Sequence, residues 1–117
     1  HLLEPRQKRA AFLQFVLSRI RLSSTRVRRS RLEDLPPEEF CADLILSRGV
    51  RSWNEFLPLA APYLRPQGMV LLFSSSAWTT ESQPPADWIF VQQRAYKTAP
   101  EVPQRYFWLF GLRKASS

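Results

Sequence analysis

The spacing of apolar residues along the chain predicts an amphipathic helix near the N-terminus. From Arg6 to about Leu22, four apolar residues recur at helical intervals: Phe12, Leu13, Val16 and Ile20. Polar residues fill the opposite face of this helix: Gln7, Gln14, Ser18 and Arg19. Pro5 precedes the helix at a position where proline favours helix initiation.

Shorter apolar runs predict β-strands, at Leu2–Leu3 and at residues 25–30, 40–47, 69–73, 88–96 and 106–112. The run from Leu44 to Leu46 is continuously apolar, which predicts a central strand buried on both faces. In the strand over 25–30, Val27 should point inward and its arginines outward. The last two strands are too close in sequence for a crossover helix, so we expect them to pair as an antiparallel hairpin.

Turn and capping signals separate these elements. Ser52 and Glu55 match a capping box, which predicts a helix from there to about Leu64, bent or shortened by Pro58. Residues 31–37 and 74–85 are predicted as loops and residues 65–68 as a turn. The alternation of strands and helices indicates an α/β sheet.

Arg48 stands directly after the strand that contains the apolar run from Leu44 to Leu46. A buried strand cannot hide a guanidinium, so the side chain must emerge at the carboxyl edge of the strand, which is where open α/β sheets bind ligands. The alternative is an arginine that completes the strand by pairing with a neighbouring carboxylate.

Composition narrows the class of partner. The formal net charge is +7 and comes mainly from arginine, whose planar guanidinium binds phosphate bidentately. This favours a polyanionic partner, and the alternative is an ordinary solvated basic surface.

Cys41 is the single cysteine and His1 the single histidine, which argues against a disulfide, a metal site and redox chemistry. Neither a membrane span nor a signal peptide is evident, so we expect a cytoplasmic protein with no membrane partner. We also expect a monomer.

No catalytic triad, carboxylate pair or glycine-rich phosphate loop is present in the sequence. The candidate site is instead a row of strand ends that carry Glu4, then Leu32 and Glu33, then Arg48. An acidic residue at such a strand end can accept hydrogen bonds from both ribose hydroxyls of a nucleotide cofactor. For Glu4 alone, the alternative is an acid that complements the dipole of the following helix.

Several short segments resemble the glucose-inhibited division protein B family. Residues 2–13, LLEPRQKRAAFL, are similar to the family's LL-acid-x-x-x-KR-x-x-FL segment. Ser30–Asp34 resembles its x-R-[AV]-E-E motif, Ser47–Gly49 its SRA, Leu64–Gly68 its LKPGG, and Arg105–Tyr106 the RH that opens the last strand. The motifs occur in the family's order over nearly the whole chain.

The resemblance implies a partial Rossmann-like class I methyltransferase fold with a C-terminal antiparallel hairpin. Members of the family use S-adenosylmethionine to methylate N7 of a guanine in bacterial small-subunit ribosomal RNA. By that resemblance Glu4, Pro5 and Arg6 would bind the ribose, Leu32 and Glu33 would border the adenine, and Arg48 would lie at the mouth of the site.

The chain departs from the family in two places. Ser74–Ser75 stands where the family has Lys-Gly, and the family's first strand and glycine-rich loop would lie before His1. We therefore expect residues 1–117 to form one domain that is the C-terminal portion of a larger methyltransferase and is inactive alone. The alternatives are a non-catalytic basic RNA-binding module or degenerate paralogue and, less favoured by the charge, a small-molecule methyltransferase.

Overall fold

The computed structural model describes residues 1–48 and 51–113, which divide into two compact units, His1–Glu39 and Phe40–Ser117. The elements of the first unit are β1 (Leu2–Leu3), α1 (Gln7–Ile20) and β2 (Val27–Arg28), followed by a 3₁₀ turn at Leu32–Asp34. The second unit contains β3 (Ala42–Ser47), α2 (Trp53–Ala60), a 3₁₀ turn at Ala61–Tyr63, β4 (Leu64–Ser74), β5 (Trp88–Tyr96) and β6 (Arg105–Leu112). No helix among the described residues is long and apolar enough to cross a membrane.

In the first unit, β1 and β2 pair in parallel, and α1 connects them. The predicted helix is confirmed. The prediction that Phe12 and Ile20 belong to its inward face is wrong, because these side chains are 63% and 52% exposed. Ala10 is buried instead. Helical periodicity defines a broad apolar stripe, and the surface available for packing decides which part of that stripe is covered.

The second unit is built on a four-stranded mixed sheet with the strand order β3-β4-β6-β5. Strands β3 and β4 are parallel, whereas β6 is antiparallel to both β4 and β5. The predicted C-terminal hairpin is therefore confirmed, with β6 inserted between β4 and β5.

The prediction that Leu44 to Leu46 form a central strand buried on both faces is wrong. Among the described residues β3 pairs only with β4, which places it at the edge of the sheet. Leu44 and Leu46 are 52% and 57% exposed, and Ile45 between them is half-buried. A continuous apolar run indicates that both faces of a strand are apolar. Whether those faces are buried depends on the strands and helices that pack against them, which lie elsewhere in the sequence.

One face of this sheet carries the core of the second unit. Alternating residues of β4, β5 and β6 point to this face and are buried, as are residues of α2: Val70, Leu72, Trp88, Trp108, Phe110, Leu112, Phe56, Leu57 and Ala60. On the other face Met69 is 39% and Ile89 40% exposed. The alternation of strand side chains thus separates a covered face from an open one.

Helix α2 begins where the sequence predicts, after Ser52, but without the predicted capping box. The Ser52 side chain makes no capping hydrogen bond, and its backbone carbonyl instead accepts bonds from the amides of Glu55 and Phe56. Pro58 lies inside the helix, which ends at Ala60 and tightens into the 3₁₀ turn. The α-helix therefore ends four residues before the predicted Leu64, whereas its first turns, which Pro58 was expected to shorten, are present.

The turn predicted at residues 65–68 lies within β4, where the register between β4 and β3 shifts. Ala42 pairs with Leu64, but Leu44 pairs with Met69, so the β4 strand carries extra residues between these two pairs. Gln67 accommodates the irregularity with φ 67°, and Arg65 forms an ion pair with Asp43 at 3.1 Å. The Pro-Gln-Gly signal therefore marks a bulge in the strand rather than its start.

We expect Gly68→Ala to destabilise the second unit by about 1–3 kcal/mol, because an added methyl group overpacks a rigid site. A Cβ at Gly68 would lie 2.8 Å from the carbonyl oxygen of Arg65 and 3.0 Å from Cβ of Leu64. The measurement is urea unfolding followed by tryptophan fluorescence.

Gly111→Ala is the matched control, since a Cβ there would meet Cγ2 of Val91 at an ordinary 3.6 Å. This control should leave the unfolding midpoint unchanged or slightly raised. Equal stability of the two variants would contradict the steric role assigned to Gly68.

The loop between β4 and β5 is held to the sheet by Trp78. The indole stacks on Phe90 with ring centroids 5.0 Å apart and planes 8° apart. The Gln93 side chain accepts a hydrogen bond from the Trp78 amide at 2.9 Å and donates one to its carbonyl at 3.2 Å. The predicted loop is therefore present, and its aromatic residue fixes it over the sheet.

Candidate functional site

The carboxyl ends of three strands meet at one edge of the four-stranded sheet. Ser47 ends β3, Ser74 ends β4 and Tyr96 ends β5, while Arg105 begins the antiparallel strand β6 at the same edge. The register pairs Tyr96 with Arg105 and Ser74 with Tyr106. This edge is where open α/β sheets bind ligands.

A groove of about 320 Å³ opens at this edge, lined by Arg48, Phe73, Ser74, Ser75, Tyr96 and Arg105. We name it the Arg48–Arg105 groove. Its volume lies at the lower end of the roughly 300–1,000 Å³ typical of ligand pockets. No carboxylate is among its described lining residues, so two guanidinium groups set its charge.

Both arginines of the groove are exposed, and neither guanidinium group forms a hydrogen bond or ion pair with the described part of the chain. The alternative interpretation of Arg48, a residue neutralised by a neighbouring carboxylate, therefore has no support in residues 1–48 and 51–113. Two unneutralised guanidinium groups on one groove attract anions and can bind phosphate oxygens bidentately.

Two aromatic residues, Phe73 and Tyr96, also line this groove. Tyr96 stacks on Phe107 with centroids 4.6 Å apart and planes 18° apart, and Phe73 contacts Phe107 edge-on at 5.2 Å. Tyr96 and Phe73 are half-buried, so each is anchored on one side and still lines the groove. The groove therefore combines positive charge with a fixed aromatic surface.

The first unit carries the other predicted site residues at the carboxyl ends of β1 and β2. The amide of Glu4 donates a 2.9 Å hydrogen bond to the carbonyl of Arg28, which fixes Glu4 directly after β1. Beyond β2, the 3₁₀ turn brings Leu32 and Glu33 into the connection that follows. Because β1 and β2 are parallel, Glu4 and this turn follow the same edge of the small sheet.

Glu4 has an unusual environment for an acid near a helix start. Its Oε1 is buried and has no hydrogen-bond partner among the described residues. An unpartnered buried carboxylate oxygen costs free energy unless a ligand donates to it. Ribose hydroxyls are suitable donors, so the environment of Glu4 fits a nucleotide cofactor.

The structure thus groups the predicted site residues by unit. Glu4, Pro5, Arg6, Leu32 and Glu33 lie in the first, with Pro5 and Arg6 exposed and Leu32 half-buried, and Arg48 lies in the second. The proximity of Arg48 to Glu4 stays a prediction.

Sequence reasoning missed Tyr96, because an aromatic residue in a strand is by default assigned to the core. Its place at the carboxyl end of a strand, beside the exposed Arg94 and Lys97, was the available signal.

Solved structures with a similar fold include proteins described as putative methyltransferases. The chain superimposes on TrmN from Thermus thermophilus with a TM-score of 0.70 at 19% identity, covering 94% of this chain and 35% of that one. It also superimposes on the putative methyltransferase yhhF from Escherichia coli with a TM-score of 0.69 at 14% identity, covering 97% and 64%. The fold is therefore that of a class I methyltransferase, and the predicted fold class is confirmed.

The family follows from the sequence comparisons. Residues 1–105 match the model of the GidB family, rRNA small subunit methyltransferase G. The chain is 33% identical to Ribosomal RNA small subunit methyltransferase G of Oleidesulfovibrio alaskensis over 100% of its own length and 54% of the relative's. It is 34% identical to the protein of that name from Nitratidesulfovibrio vulgaris over 92% of its length and 47% of the relative's.

The chain belongs to the GidB family of small-subunit rRNA methyltransferases, as the sequence motifs predict. It spans about half the length of these two relatives.

Proposed function

We propose that this chain is part of an enzyme that methylates N7 of a guanine in small-subunit ribosomal RNA, with S-adenosylmethionine as the methyl donor. The complete protein would carry the activity in the cytoplasm, where ribosomal RNA is its substrate. The observation that carries the proposal is the family match over residues 1–105, which includes the strand ends that bear Glu4 and Arg48.

The cofactor's ribose would be held by Glu4, with Pro5 and Arg6 behind it. The buried, unpartnered Oε1 of Glu4 supports this assignment, because hydroxyl donors would satisfy it. Leu32 would border the adenine with its apolar side chain, and Glu33 lies beside it on the same turn. Arg48, at the end of β3, would face the substrate side of the site.

S-adenosylmethionine supplies a methyl group activated by its sulfonium. N7 of guanine is an acceptor in the major groove, with a lone pair and no proton to lose. The transfer therefore requires no general base, and the protein's task is to hold the two reacting atoms in line and close together. The absence of an acid–base pair from the described site residues is consistent with this chemistry.

A second candidate is a non-catalytic RNA-binding protein descended from such an enzyme. The observation that favours it is Ser74–Ser75 at the position where the resemblance expects Lys-Gly. Ser74 is half-buried, and its Oγ accepts a 3.1 Å hydrogen bond from the amide of Ser76. The hydroxyl thus stabilises the loop and adds no charge to the groove.

Methyl transfer to unmodified small-subunit RNA tests the proposal. The complete protein, including whatever is encoded upstream of His1, is incubated with labelled S-adenosylmethionine and either ribosomal subunits or free RNA. We expect label in N7-methylguanosine after nuclease digestion and mass spectrometry, and none with the 117-residue chain alone.

Two other outcomes separate the candidates. Methylation at another atom would contradict the assignment to guanine N7. Saturable RNA binding by the complete protein without any methyl transfer would favour the non-catalytic candidate.

A further inference from the structure

We propose that the Arg48–Arg105 groove binds one nucleotide of the RNA substrate, its phosphate between Arg48 and Arg105 and its base against the ring of Tyr96. The inference rests on the proposed function for the choice of RNA as ligand. It adds a specific role for Tyr96 and Arg105 and uses residues of the second unit only.

The phosphate part of the proposal follows from charge and position. Arg48 follows β3 and Arg105 opens β6, two strands on opposite sides of β4, so both line the groove across the end of that strand. With no carboxylate among the described lining residues, the positive charge of both is available to an anion. Guanidinium groups bind phosphate through paired N–H donors, which adds orientation to attraction.

Hydroxyl groups supply the remaining polar contacts. Ser74 Oγ accepts from the Ser76 amide and keeps its own proton to donate, and Ser75 is exposed on the rim. These are neutral donors where the family resemblance expects a lysine. The arginines therefore provide the cationic charge of this groove.

The base part follows from the rigidity of Tyr96. Its ring is stacked against Phe107, and Phe107 is in turn held by Phe73. A ring held in this way loses little conformational entropy when a second planar group stacks on it. Proteins recognise unpaired RNA bases by stacking on aromatic rings of this kind.

The geometry favours single-stranded RNA over a duplex. A groove of about 320 Å³ admits one splayed-out nucleotide, whereas bases in an A-form helix are stacked and their deep groove is closed to side chains. The phosphate and base subsites are adjacent, because Tyr96 pairs with Arg105 across neighbouring strands.

The test measures binding of a short oligoadenylate to the 117-residue chain over a series of salt concentrations. Arg48→Gln and Arg105→Gln should each weaken binding, and each should reduce the slope of log K against log salt by about 0.7, the value for one phosphate contact on a single strand. Arg113→Gln is the charge-matched control, because Arg113 follows the opposite end of β6 and lies outside the groove. It should leave the slope unchanged.

The stacking subsite is tested with Tyr96→Leu and Tyr96→Phe. Loss of the ring should weaken oligoadenylate binding about 5- to 150-fold, the range for one stacked base, without changing the salt slope. Tyr96→Phe keeps the ring and should bind like the wild type. An abasic oligomer of the same length should bind both Tyr96→Leu and wild type equally.

Circular dichroism verifies that each variant is folded, and the comparison of normal with abasic oligomers on the wild type still tests stacking if Tyr96→Leu unfolds. The proposal is overturned if Arg48→Gln and Arg105→Gln weaken binding no more than Arg113→Gln. It is also overturned if Tyr96→Leu weakens abasic and normal oligomers alike. Methylation by the complete wild-type protein is measured separately. A negative result for the groove would therefore not contradict the proposed function, and a negative methylation result would not contradict nucleotide binding in the groove.

Discussion

The 117-residue chain should show no saturable binding of S-adenosylmethionine in a calorimetric titration, whereas the complete protein should bind it with micromolar affinity. Micromolar affinity corresponds to about 8 kcal/mol, and one hydrogen bond to a charged group contributes roughly 1.5–3 kcal/mol. Contacts through Glu4 alone cannot reach that value.

The open edge of the larger sheet adds a structural reason. Strand β3 pairs only with β4 among the described residues, and Leu44 and Leu46 are exposed. The family resemblance places a further strand and its glycine-rich loop, which would hold the methionine end of the cofactor, next to β3. We expect binding to depend on that segment.

Glu4→Gln in the complete protein tests the assigned ribose contact. It should weaken S-adenosylmethionine binding about 10- to 150-fold, because a charged acceptor is lost at a buried site. Glu38→Gln, an exposed acid of the same unit, is the matched control and should bind normally.

Micromolar binding of S-adenosylmethionine by the 117-residue chain would contradict the first prediction and would show that the cofactor site is built differently from the family's.

Phe110→Ala should destabilise the second unit by about 3–5 kcal/mol, the cost of removing a buried phenylalanine side chain from a packed core. Phe110 is fully buried, and its ring contacts Trp78 at 5.2 Å and Phe90 at 5.7 Å between centroids. The resulting cavity would lie directly beneath the ring that anchors the β4–β5 connection.

The measurement is urea unfolding followed by tryptophan fluorescence, which reports on the second unit because all four tryptophans lie there. Phe12→Ala is the control with the same chemical change, since Phe12 is 63% exposed on α1. It should leave the tryptophan transition in place. A loss below about 1 kcal/mol for Phe110→Ala would contradict the role of this residue as the centre of the core.

The sequence predicted most elements because each depends on a local pattern. The period of α1, the aromatic alternation of β5 and β6 and the short connection between them are visible in consecutive residues, and all three are present in the structure. The sequence also predicted the family, since the motifs around Glu4, Glu33 and Arg48 occur in the same order and with similar spacing as the family's motifs.

Two predictions made from local sequence signals, a helix cap and a turn, are wrong in detail. Ser52 has the residue type of a helix cap, yet its side chain makes no capping bond, and its backbone carbonyl accepts the Glu55 amide that the side chain was predicted to bind. The Pro66–Gly68 segment looks like a turn, but the strand continues through it as a bulge, because β3 and Asp43 hold its flanks.

The sequence by itself determined the order of strands and helices and the family, because both depend on patterns of neighbouring residues. Only the tertiary structure decided that β3 pairs with β4 alone among the described residues, that Phe12 is exposed and that Tyr96 joins Arg48 and Arg105 in one groove. These features depend on which strands lie side by side, and contacts between residues distant in sequence leave no periodic signal in the chain.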